Sequence, residues 1–322
     1  MSQQTMFIFP GQGAQYPGMG SDLCRDFAEA REVFQEANEV LGFDLQTLCF
    51  QGPEAELTLT RNTQPALLTH SVACLRVLQS LTGERLRPLS AAGHSLGEYS
   101  ALVAAGALSF ADALKLVRKR GELMGEHGEG EMIAIPMDLA TVQPLAEKHY
   151  CAVAGLNLPE QTVVGGSTAD LDTLTADCAE RFPRKRLARL KTEGAFHTYY
   201  MVAAARHFRA VLDGASFQAS DVKVMSNYTG DFHDPDPAVI KARLFYQLFH
   251  PVKWYAGLQA ALLDGVNHFV EFGGGIGTGE GPESKRANLE SIIKKATRGS
   301  STEIRYAAAI NSETIRAAAE AL

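Results

Sequence analysis

The stretch 92–99, Ala-Gly-His-Ser-Leu-Gly-Glu-Tyr, constrains the fold more than any other part of this 322-residue chain. Within it, Gly93, Ser95 and Gly97 form the Gly-x-Ser-x-Gly pattern of a sharp strand-to-helix turn. Glycine is needed at both ends, because a side chain there would collide with the neighbouring strand or helix. The pattern predicts a nucleophile elbow that exposes the serine hydroxyl and places the Leu96 amide at a helix start, where it can bind an oxyanion.

The residues around this motif favour an elbow over the alternative, an ordinary tight turn. Residues 86–92 can form a buried strand, although Pro88 weakens it, and residues 99–108 are small and apolar, as in a buried helix. A five-residue match alone is weak evidence for an activated serine. The strand-turn-helix context strengthens it, and the assignment then depends on finding a base and a second oxyanion donor elsewhere in the chain.

Composition excludes several classes of protein. The formal net charge of −7 argues against wholesale nucleic-acid binding. The five cysteines are scattered and form no Cys-x-x-Cys pair, which argues against a disulfide framework and against a metal site. The first residues lack a basic, apolar signal sequence, and no run of about 20 apolar residues occurs. We therefore predict a cytoplasmic protein without a membrane segment.

A glycine-rich loop at 10–20 follows the first apolar strand. Gly11 and Gly13 match the first two glycines of a dinucleotide-binding fingerprint, but the third position is Tyr16, so the fingerprint fails. In serine acyl-transfer enzymes, the second oxyanion donor comes from a loop that follows another strand. Gln12 is our candidate for that donor, and a plain turn remains the alternative for this loop.

Arg120 is predicted to be a buried cation. It belongs to a helix over 109–126, and its neighbours one turn away on both sides are all apolar, namely Leu116, Val117, Leu123 and Met124. A buried guanidinium requires an anionic partner because it cannot lose its charge. That partner is either a carboxylate of the protein or a carboxylate of the substrate, and both interpretations stay open here.

Residues 131–194 form a unit of different character. Strand-like and helix-like runs alternate there in the order β-α-β-β-α-β, which is typical of a ferredoxin-like module. We predict an α/β fold in which residues 1–130 and 195–322 build one catalytic subdomain. Residues 131–194 would be an inserted small subdomain.

Three further elements are predicted from periodicity. Residues 63–78 should form a helix with Pro65 in its first turn. Residues 266–272 should form the last core strand, followed by a second glycine-rich loop that fits neither a dinucleotide fingerprint nor a P-loop. The end of the chain should carry helices over 289–296 and 312–322.

His197 is the best candidate for a catalytic base. It lies at the exit of the predicted insert, in a glycine-marked turn before a helix. His94 adjoins the serine, but adjacent side chains at a sharp elbow diverge, so it is a poor base. His250 precedes a proline at a helix break and remains the alternative to His197.

Several stretches of the chain match one known family in order and approximate spacing between residues 5 and 272. They are Phe-Pro-Gly-Gln-Gly-Ala-Gln at 9–15, Gly-His-Ser-Leu-Gly-Glu-Tyr-Ser-Ala-Leu at 93–102, Lys-Arg-Gly-Glu-Leu-Met at 119–124, Gly-Ala-Phe-His at 194–197 and Gln-Leu-Phe-His-Pro-Val-Lys-Trp at 247–254. The chain resembles malonyl-CoA:acyl-carrier-protein transacylases and the acyltransferases of polyketide synthases, most closely the free-standing, trans-acting ones. The resemblance implies an α/β-hydrolase-like large subdomain interrupted by a ferredoxin-like small subdomain.

The resemblance also implies roles for individual residues. Ser95 would be the acyl-accepting nucleophile and His197 its base. Gln247 would orient His197 in place of the usual acid. The backbone amides of Gln12 and Leu96 would form the oxyanion hole. Arg120 would bind the substrate carboxylate. Three further residues would line the pocket, namely His94, Met124 and Phe196.

The reaction implied by the resemblance is transfer of a malonyl group from coenzyme A to the phosphopantetheine thiol of an acyl carrier protein. Malonyl-CoA would be the substrate, and no cofactor would be required. Two alternatives are an acyl-thioester hydrolase, against which the buried Arg120 argues, and a non-catalytic docking module, against which the intact Ser95 and His197 argue. The sequence leaves open whether the pathway is fatty-acid or polyketide biosynthesis.

The carrier partner would be acidic, like this chain, so docking requires local positive charge. The stretch Arg181–Lys191 holds six basic residues just before His197. A second cluster follows the glycine-rich loop and contains Lys285, Arg286, Lys294 and Lys295. We predict that both flank the site entrance and that the protein acts as a monomer. The loop at 273–285 is longer than the short Gly-Pro-Gly turn of the family, which leaves the residues after 272 outside the resemblance.

Overall fold

The computed structural model describes residues 3–83, 86–300 and 302–321. The predicted subdomain that begins at residue 1 and the predicted helix that ends at residue 322 therefore have ends, Met1, Ser2 and Leu322, that lie outside the described residues. The fold is a mixed α/β architecture with two sheets. Its strands in the described residues are β1 (Thr5–Phe9), β2 (Ser90–Gly93), β3 (Glu131–Ile135), β4 (Ala152–Leu158), β5 (Gln161–Gly166), β6 (Ala188–Leu190), β7 (Lys223–Ser226), β8 (Asp231–Phe232), β9 (His268–Phe272) and β10 (Arg305–Ala309).

The helices surround the larger sheet and cover one face of the smaller one. In chain order they are α1 (Ser21–Asp26), α2 (Ala28–Leu41), α3 (Leu45–Gln51), α4 (Glu54–Thr58), α5 (Thr60–Thr82), α6 (Gly97–Ala104), α7 (Phe110–His127), α8 (Leu139–Lys148), α9 (Thr168–Arg181), α10 (Val202–Gly214), α11 (Pro237–Gln247), α12 (Trp254–Leu263), α13 (Glu290–Ala296) and α14 (Ser312–Ala321). Short 3₁₀ turns lie at Tyr199–Met201 and Pro282–Ser284. Among the described helices, none is long and apolar enough to cross a bilayer.

The larger sheet has the strand order β10-β9-β1-β2-β7-β8. Its strands pair in parallel, except that β8 is antiparallel to β7. The central strand β1 is buried on both faces: Phe7 and Phe9 belong to one hydrophobic core, while Met6 and Ile8 belong to the other. Because successive side chains point to opposite faces of a strand, an uninterrupted apolar run fits only a strand covered on both sides.

The smaller sheet has the strand order β4-β5-β3-β6 and is antiparallel throughout. Its connection order β3-α8-β4-β5-α9-β6 is the predicted ferredoxin-like one. One face packs on α8 and α9 through a separate core that includes Ile133 and Val164. From the other face, Met132, Ala154 and Val163 join the main core. The predicted fold class, an α/β-hydrolase-like part with a ferredoxin-like insert, is confirmed.

Three predictions about individual elements need correction. The strand predicted over 86–92 begins only at Ser90, after Pro88, which cannot donate a ladder hydrogen bond. Helix α5 begins at Thr60, so Pro65 lies inside it rather than in its first turn. The strand ending at Phe272 is not the last, because β10 pairs in parallel along its outer edge. Its Arg-Tyr-Ala-Ala-Ala sequence is poor in β-branched residues, which explains why it was missed.

The glycine-rich loop after β9 folds against the first glycine-rich loop. Gly274 N donates to His70 Nδ1 at 2.9 Å, and Gly275 N donates to the Ala14 carbonyl at 2.8 Å. His70 is fully buried, and burial lowers the pKa of its ring to about 4, so the neutral ring can accept this bond. The loop and the helix α14 behind it are thus integral parts of the catalytic fold.

Candidate active site

The elbow has the strained geometry that its sequence predicts. Ser95 adopts a positive φ of 54°, which is unusual for a residue with a side chain. A Cβ at Gly93 would lie 1.8 Å from the backbone carbon of Gly97, and one at Gly97 would lie 2.3 Å from the Phe9 carbonyl oxygen. Only glycine fits at either position, because β1, β2 and the start of α6 approach each other so closely.

Ser95 contacts His197, as predicted. Ser95 Oγ lies 2.7 Å from His197 Nε2, and His197 Nδ1 lies 2.7 Å from the main-chain carbonyl of Gln247. A carbonyl only accepts hydrogen bonds, so Nδ1 carries the proton and Nε2 is free to accept one from the serine. His197 has a φ of 61°, and its own amide donates to the Leu248 carbonyl at 3.1 Å, which fixes the ring.

Burial, together with the nearby positive charge of Arg120, lowers the pKa of His197 to about 3. The ring is therefore neutral at physiological pH and has an open lone pair on Nε2. The alternative base, His250, hydrogen-bonds the Tyr246 carbonyl at 2.9 Å and packs edge-on against Tyr228. Ser95 is hydrogen-bonded to His197 and not to His250, so the geometry favours His197 as the base.

Arg120 lies 1% exposed beside the serine. Its Nη1 donates to Gln64 Oε1 at 2.9 Å, and its Nη2 donates to Gln247 Oε1 at 3.0 Å and to Ser95 Oγ at 3.2 Å. Burial lowers the pKa of the guanidinium, while the Tyr99 hydroxyl and the Glu98 carboxylate oppose that change. Arginine still retains its charge in such a site.

No carboxylate in the described ranges lies within 4.0 Å of this guanidinium, and its Nε has no hydrogen-bond partner there. Of the two interpretations left open by the sequence, a protein carboxylate in direct contact with Arg120 is therefore not found among the described residues. Arg118, two positions earlier, is different: its side chain is 27% exposed and pairs with Glu122 at 2.8 Å. Helical periodicity correctly separated the buried arginine from its exposed neighbour.

Two backbone amides at the cavity of Ser95 have no hydrogen-bond partner in the described chain. Neither the Leu96 nor the Gln12 amide donates a hydrogen bond to another described residue, and both residues line the cavity that contains Ser95. The Gln12 side chain is held away by a 3.2 Å bond from its Nε2 to Thr60 Oγ1. Free amides from two different loops are the donors that an oxyanion hole requires.

The cavity has a volume of about 130 Å³ and lies between the carboxyl ends of β1 and β2 and the smaller sheet. The predicted substrate contacts all line it, and they are His94, Met124 and Phe196. The smaller sheet contributes an apolar wall, whose members are Met132, Ala154 and Val163. His94 Nε2 lies 2.9 Å from Asn157 Oδ1, so the imidazole is held at the rim by the smaller sheet rather than by the elbow.

A buried polar network that was not predicted from the sequence lies behind the elbow. Asn227 Oδ1 accepts from the Ser95 amide at 2.6 Å, and its Nδ2 donates to the Gly93 carbonyl at 2.8 Å, so it clamps both sides of the turn. Glu98, which is fully buried, accepts a hydrogen bond from the main-chain amide of Asn227 at 3.0 Å. Asn227 directly follows β7, and a polar residue at the carboxyl end of a parallel strand was the available signal for it.

Gln247 acts through two different groups. Its main-chain carbonyl contacts His197, whereas its side chain contacts Arg120, the Ser95 carbonyl at 3.0 Å and Glu98 Oε2 at 2.8 Å. The prediction named the correct residue for orienting the histidine, but the orienting atom belongs to the backbone. Gln64, which also holds Arg120, was not predicted.

The predicted docking clusters are only partly free. Arg189 pairs with Glu131 and Asp172, and the Lys285 ammonium donates to carbonyls of the second glycine-rich loop, so neither is an unengaged surface charge. Five members of the first cluster are exposed and form no ion pair with another described residue, namely Arg181, Arg184, Lys185, Arg186 and Lys191.

A cavity-lining serine on a strained elbow, a neutral histidine within hydrogen-bond distance and two unpaired amides support transfer of an acyl group through a serine ester. The fold and the site thus define a serine acyltransferase. The family model described as "Acyl transferase domain" matches residues 6–272. The chain belongs to this family.

Curated and solved relatives extend the likeness to the whole chain. A malonyl CoA-acyl carrier protein transacylase of Bacillus subtilis (strain 168) is 39% identical and covers 98% of this chain and 96% of its own length. One from Staphylococcus aureus (strain MRSA252) is 37% identical and covers 84% of this chain and 89% of its own length.

A solved malonyl-transacylase in complex with its type II PKS acyl-carrier protein has a TM-score of 0.88 at 31% identity; the match covers 99% of this chain and 100% of that one. The expectation that the residues after 272 lie outside the resemblance is therefore wrong, although the family model does end there.

Proposed function

We propose that this protein transfers a malonyl group from coenzyme A to the phosphopantetheine thiol of an acyl carrier protein. The curated relatives carry the name of that activity. The observation that carries the proposal is the position of Arg120, a buried cation 3.2 Å from Ser95 Oγ with no carboxylate beside it in the described chain. A carboxylate on the acyl group would complete this site.

The proposed first half-reaction acylates Ser95. His197 Nε2 takes the hydroxyl proton as Oγ attacks the thioester carbonyl, and the Gln12 and Leu96 amides stabilise the resulting oxyanion. The C–S bond then breaks, and the coenzyme A sulfur leaves with the proton from His197. The Gln247 carbonyl keeps the ring in the tautomer that this step requires.

The second half-reaction repeats these steps with a different thiol. The phosphopantetheine thiol gives its proton to His197 as its sulfur attacks the acyl-serine, and Ser95 recovers its proton when the ester bond breaks. Throughout, Arg120 would hold the malonyl carboxylate, while His94, Met124 and Phe196 line the cavity. No step needs a cofactor, and malonyl-CoA is the substrate.

Mass spectrometry of the protein mixed with malonyl-CoA tests the proposal. We expect a stable malonyl adduct on Ser95 that disappears when a carrier protein bearing phosphopantetheine is added, and that is absent in Ser95→Ala. Turnover to free malonate without an adduct would identify a hydrolase instead. An adduct that persists in Ser95→Ala would refute the assignment of the nucleophile, and no reaction at all would favour a docking module.

The proposal extends to organisation and location. We propose that residues 1–130 and 195–322 form the catalytic subdomain, that residues 131–194 form the small one, and that the protein acts as a cytoplasmic monomer. The small subdomain would contribute the apolar wall of the cavity and, through its basic end, part of the carrier-docking surface. Fatty-acid and polyketide carriers both fit this proposal.

The exposed cluster Arg181, Arg184, Lys185, Arg186 and Lys191 supplies the positive charge proposed for docking an acidic carrier. The double variant Arg184→Glu/Arg186→Glu should slow transfer to the carrier and flatten its salt dependence, because exposed charges act mainly on the association rate. Self-acylation by malonyl-CoA should not change. Arg206→Glu, an exposed charge outside both clusters, is the control. Superimposable salt curves for the double variant and the wild type would place docking elsewhere.

A further inference from the structure

Glu98 is a buried carboxylate that the proposed reaction does not use. It is 0% exposed and lies three residues after Ser95, on the first turn of α6. Three donors converge on it: the Asn227 amide at 3.0 Å, Gln247 Nε2 at 2.8 Å and His233 Nε2 at 2.7 Å. The Asn227 and Gln247 groups donate, and the His233 ring donates when its hydrogen is on Nε2, so an ionised carboxylate satisfies all three partners.

The hydrogen bonds of His233 favour a neutral ring over a charged one. Its side chain is 2% exposed, and its Nδ1 is buried without a partner in the part of the chain that the structure describes. A neutral ring with its hydrogen on Nε2 leaves only a lone pair unpaired. A doubly protonated ring would instead bury an unpaired N–H donor, which costs more. The negative charge of Glu98 therefore remains.

The opposite charge nearest along the hydrogen-bond network is that of Arg120. A single amide group separates them: Arg120 Nη2 donates to Gln247 Oε1 at 3.0 Å, and Gln247 Nε2 donates to Glu98 Oε2 at 2.8 Å. The guanidinium thus has a counter-charge that is not in contact with it. Its face toward the cavity stays free for a ligand, and its burial is still partly compensated.

We propose that Glu98 is a positioning residue that acts through Gln247 to set how tightly Arg120 binds the carboxylate of the acyl group. This inference rests on the proposed function. The carboxylate of Glu98 weakens the attraction of Arg120 for a second anion. The malonyl group is thereby bound less tightly than it would be by a buried arginine without a counter-charge. This limits binding that is equally strong before and after transfer.

Glu98→Gln isolates the charge, because the neighbouring donors fix the geometry. In that variant the new side-chain amide oxygen must face the Asn227 and Gln247 donors, and the new NH₂ group then faces His233 Nε2, which accepts after a change of tautomer. Gln247 keeps its orientation, because Arg120 donates to its Oε1 and the Ser95 carbonyl accepts from its Nε2. The negative charge is lost, and the proton moved to His233 Nδ1 has no partner there, which lowers stability without distinguishing malonyl-CoA from acetyl-CoA.

The test measures equilibrium binding by calorimetry in a Ser95→Ala background, where no acylation occurs. Removing a unit charge roughly 10 Å from the carboxylate that Arg120 would bind should raise the affinity of the site for that carboxylate about tenfold. We therefore expect Ser95→Ala/Glu98→Gln to bind malonyl-CoA about tenfold more tightly than Ser95→Ala and to bind acetyl-CoA equally well. A role confined to holding the elbow would predict weaker binding of both thioesters.

Glu271→Gln is the matched control, and all variants are compared at about pH 8, because burial raises the pKa of Glu271 to about 7 and its carboxyl is mostly ionised only above that pH. Glu271 is also 0% exposed and also accepts three hydrogen bonds, from the Asn288 and Leu289 amides and the Tyr306 hydroxyl. None of these partners contacts Arg120. The malonyl-to-acetyl affinity ratio should not change in this variant, and a shift as large as that of Glu98→Gln would overturn the inference.

Stability provides a second readout in case Glu98→Gln folds poorly. Without its counter-charge, the buried Arg120 should lower the melting temperature, and Arg120→Met in the same chain should restore it. A double variant no more stable than Glu98→Gln alone would contradict the proposed coupling.

The two proposals fail in different ways. If Ser95→Ala binds malonyl-CoA and acetyl-CoA equally, Arg120 holds no acyl carboxylate, and the proposed function falls together with this inference. If Ser95→Ala prefers malonyl-CoA and Glu98→Gln leaves or reduces that preference, only the role of Glu98 is refuted.

Discussion

Replacing Arg120 by methionine should convert a malonyl-selective site into an unselective one. Methionine keeps much of the apolar volume of the arginine stem, so packing against the surrounding helix residues is largely retained. The substitution removes the donors to Gln64 and Gln247 and the charge 3.2 Å from Ser95 Oγ. Ser95 Oγ also contacts His197 Nε2, and the main-chain carbonyls of Gln247 and Leu248 hold that histidine without Arg120, so the chemistry of acylation itself should survive.

The size of the effect follows from the burial of Arg120. Truncating one partner of a buried, hydrogen-bonded charge pair costs about 2 to 5 kcal/mol, which is about 30- to 5,000-fold in kcat/KM. We expect the lower half of this range, because the Glu98 charge already offsets part of the guanidinium charge in the free protein. Acetyl-CoA carries no carboxylate, and its loading should change less than about threefold.

The assay is the rate of acyl-enzyme formation with malonyl-CoA and with acetyl-CoA, followed by mass spectrometry. Arg118→Met is the matched control: it lies on the same helix, its side chain is 27% exposed, and it pairs with Glu122 outside the cavity. It should affect neither substrate. Equal losses for malonyl and acetyl loading in Arg120→Met would show that the arginine is structural and would refute the reasoning.

Three further outcomes are expected. Gly93→Ala should cost more than about 3 kcal/mol of stability, seen in chemical denaturation, because its Cβ would meet the Gly97 backbone; a near-normal midpoint would contradict the elbow geometry. Because the pKa of His197 is lowered to about 3, Ser95 acylation should be independent of pH between about pH 8 and pH 5; a fall centred near the ordinary histidine value would contradict this. Burial raises the pKa of Glu271 to about 7 in the folded protein. The protonated carboxyl therefore stabilises the fold fully at a pH below the pKa of this group in the unfolded chain, and this stability is lost as pH rises through about 7. The free energy of unfolding of Glu271→Gln should therefore gain up to about 3 kcal/mol relative to that of the wild type as pH rises from about 4 to 8. A difference between the two proteins that does not change with pH would refute the raised pKa.

Local sterics and periodicity explain which parts of the site were predictable from sequence. Gly93 and Gly97 mark the elbow because no other residue fits where backbones nearly touch. The apolar neighbours of Arg120 one helical turn away predicted its burial without reference to any other element. The alternation of short runs in 131–194 predicted the insert in the same way, since each run has its own period.

Only the tertiary structure decided which residues meet. Ser95 and His197 are separated by 102 positions, and chain pattern alone left His250 as an alternative. The atom that orients His197 is a main-chain carbonyl, a group that every residue carries, so no side-chain pattern could reveal it. The strand β10 gains its place by pairing with β9 rather than by its own propensity.

The charge of Arg120 illustrates the same division. The apolar period of one helix predicted that Arg120 is buried, but it did not predict the partners of its guanidinium. The nearest carboxylate in the network, Glu98, reaches it only through Gln247, which comes from a helix more than a hundred residues later in the chain. A single element determines which of its faces is buried, because that depends on local geometry. The groups that meet at that face come from distant segments, and only the packing of the whole chain selects them.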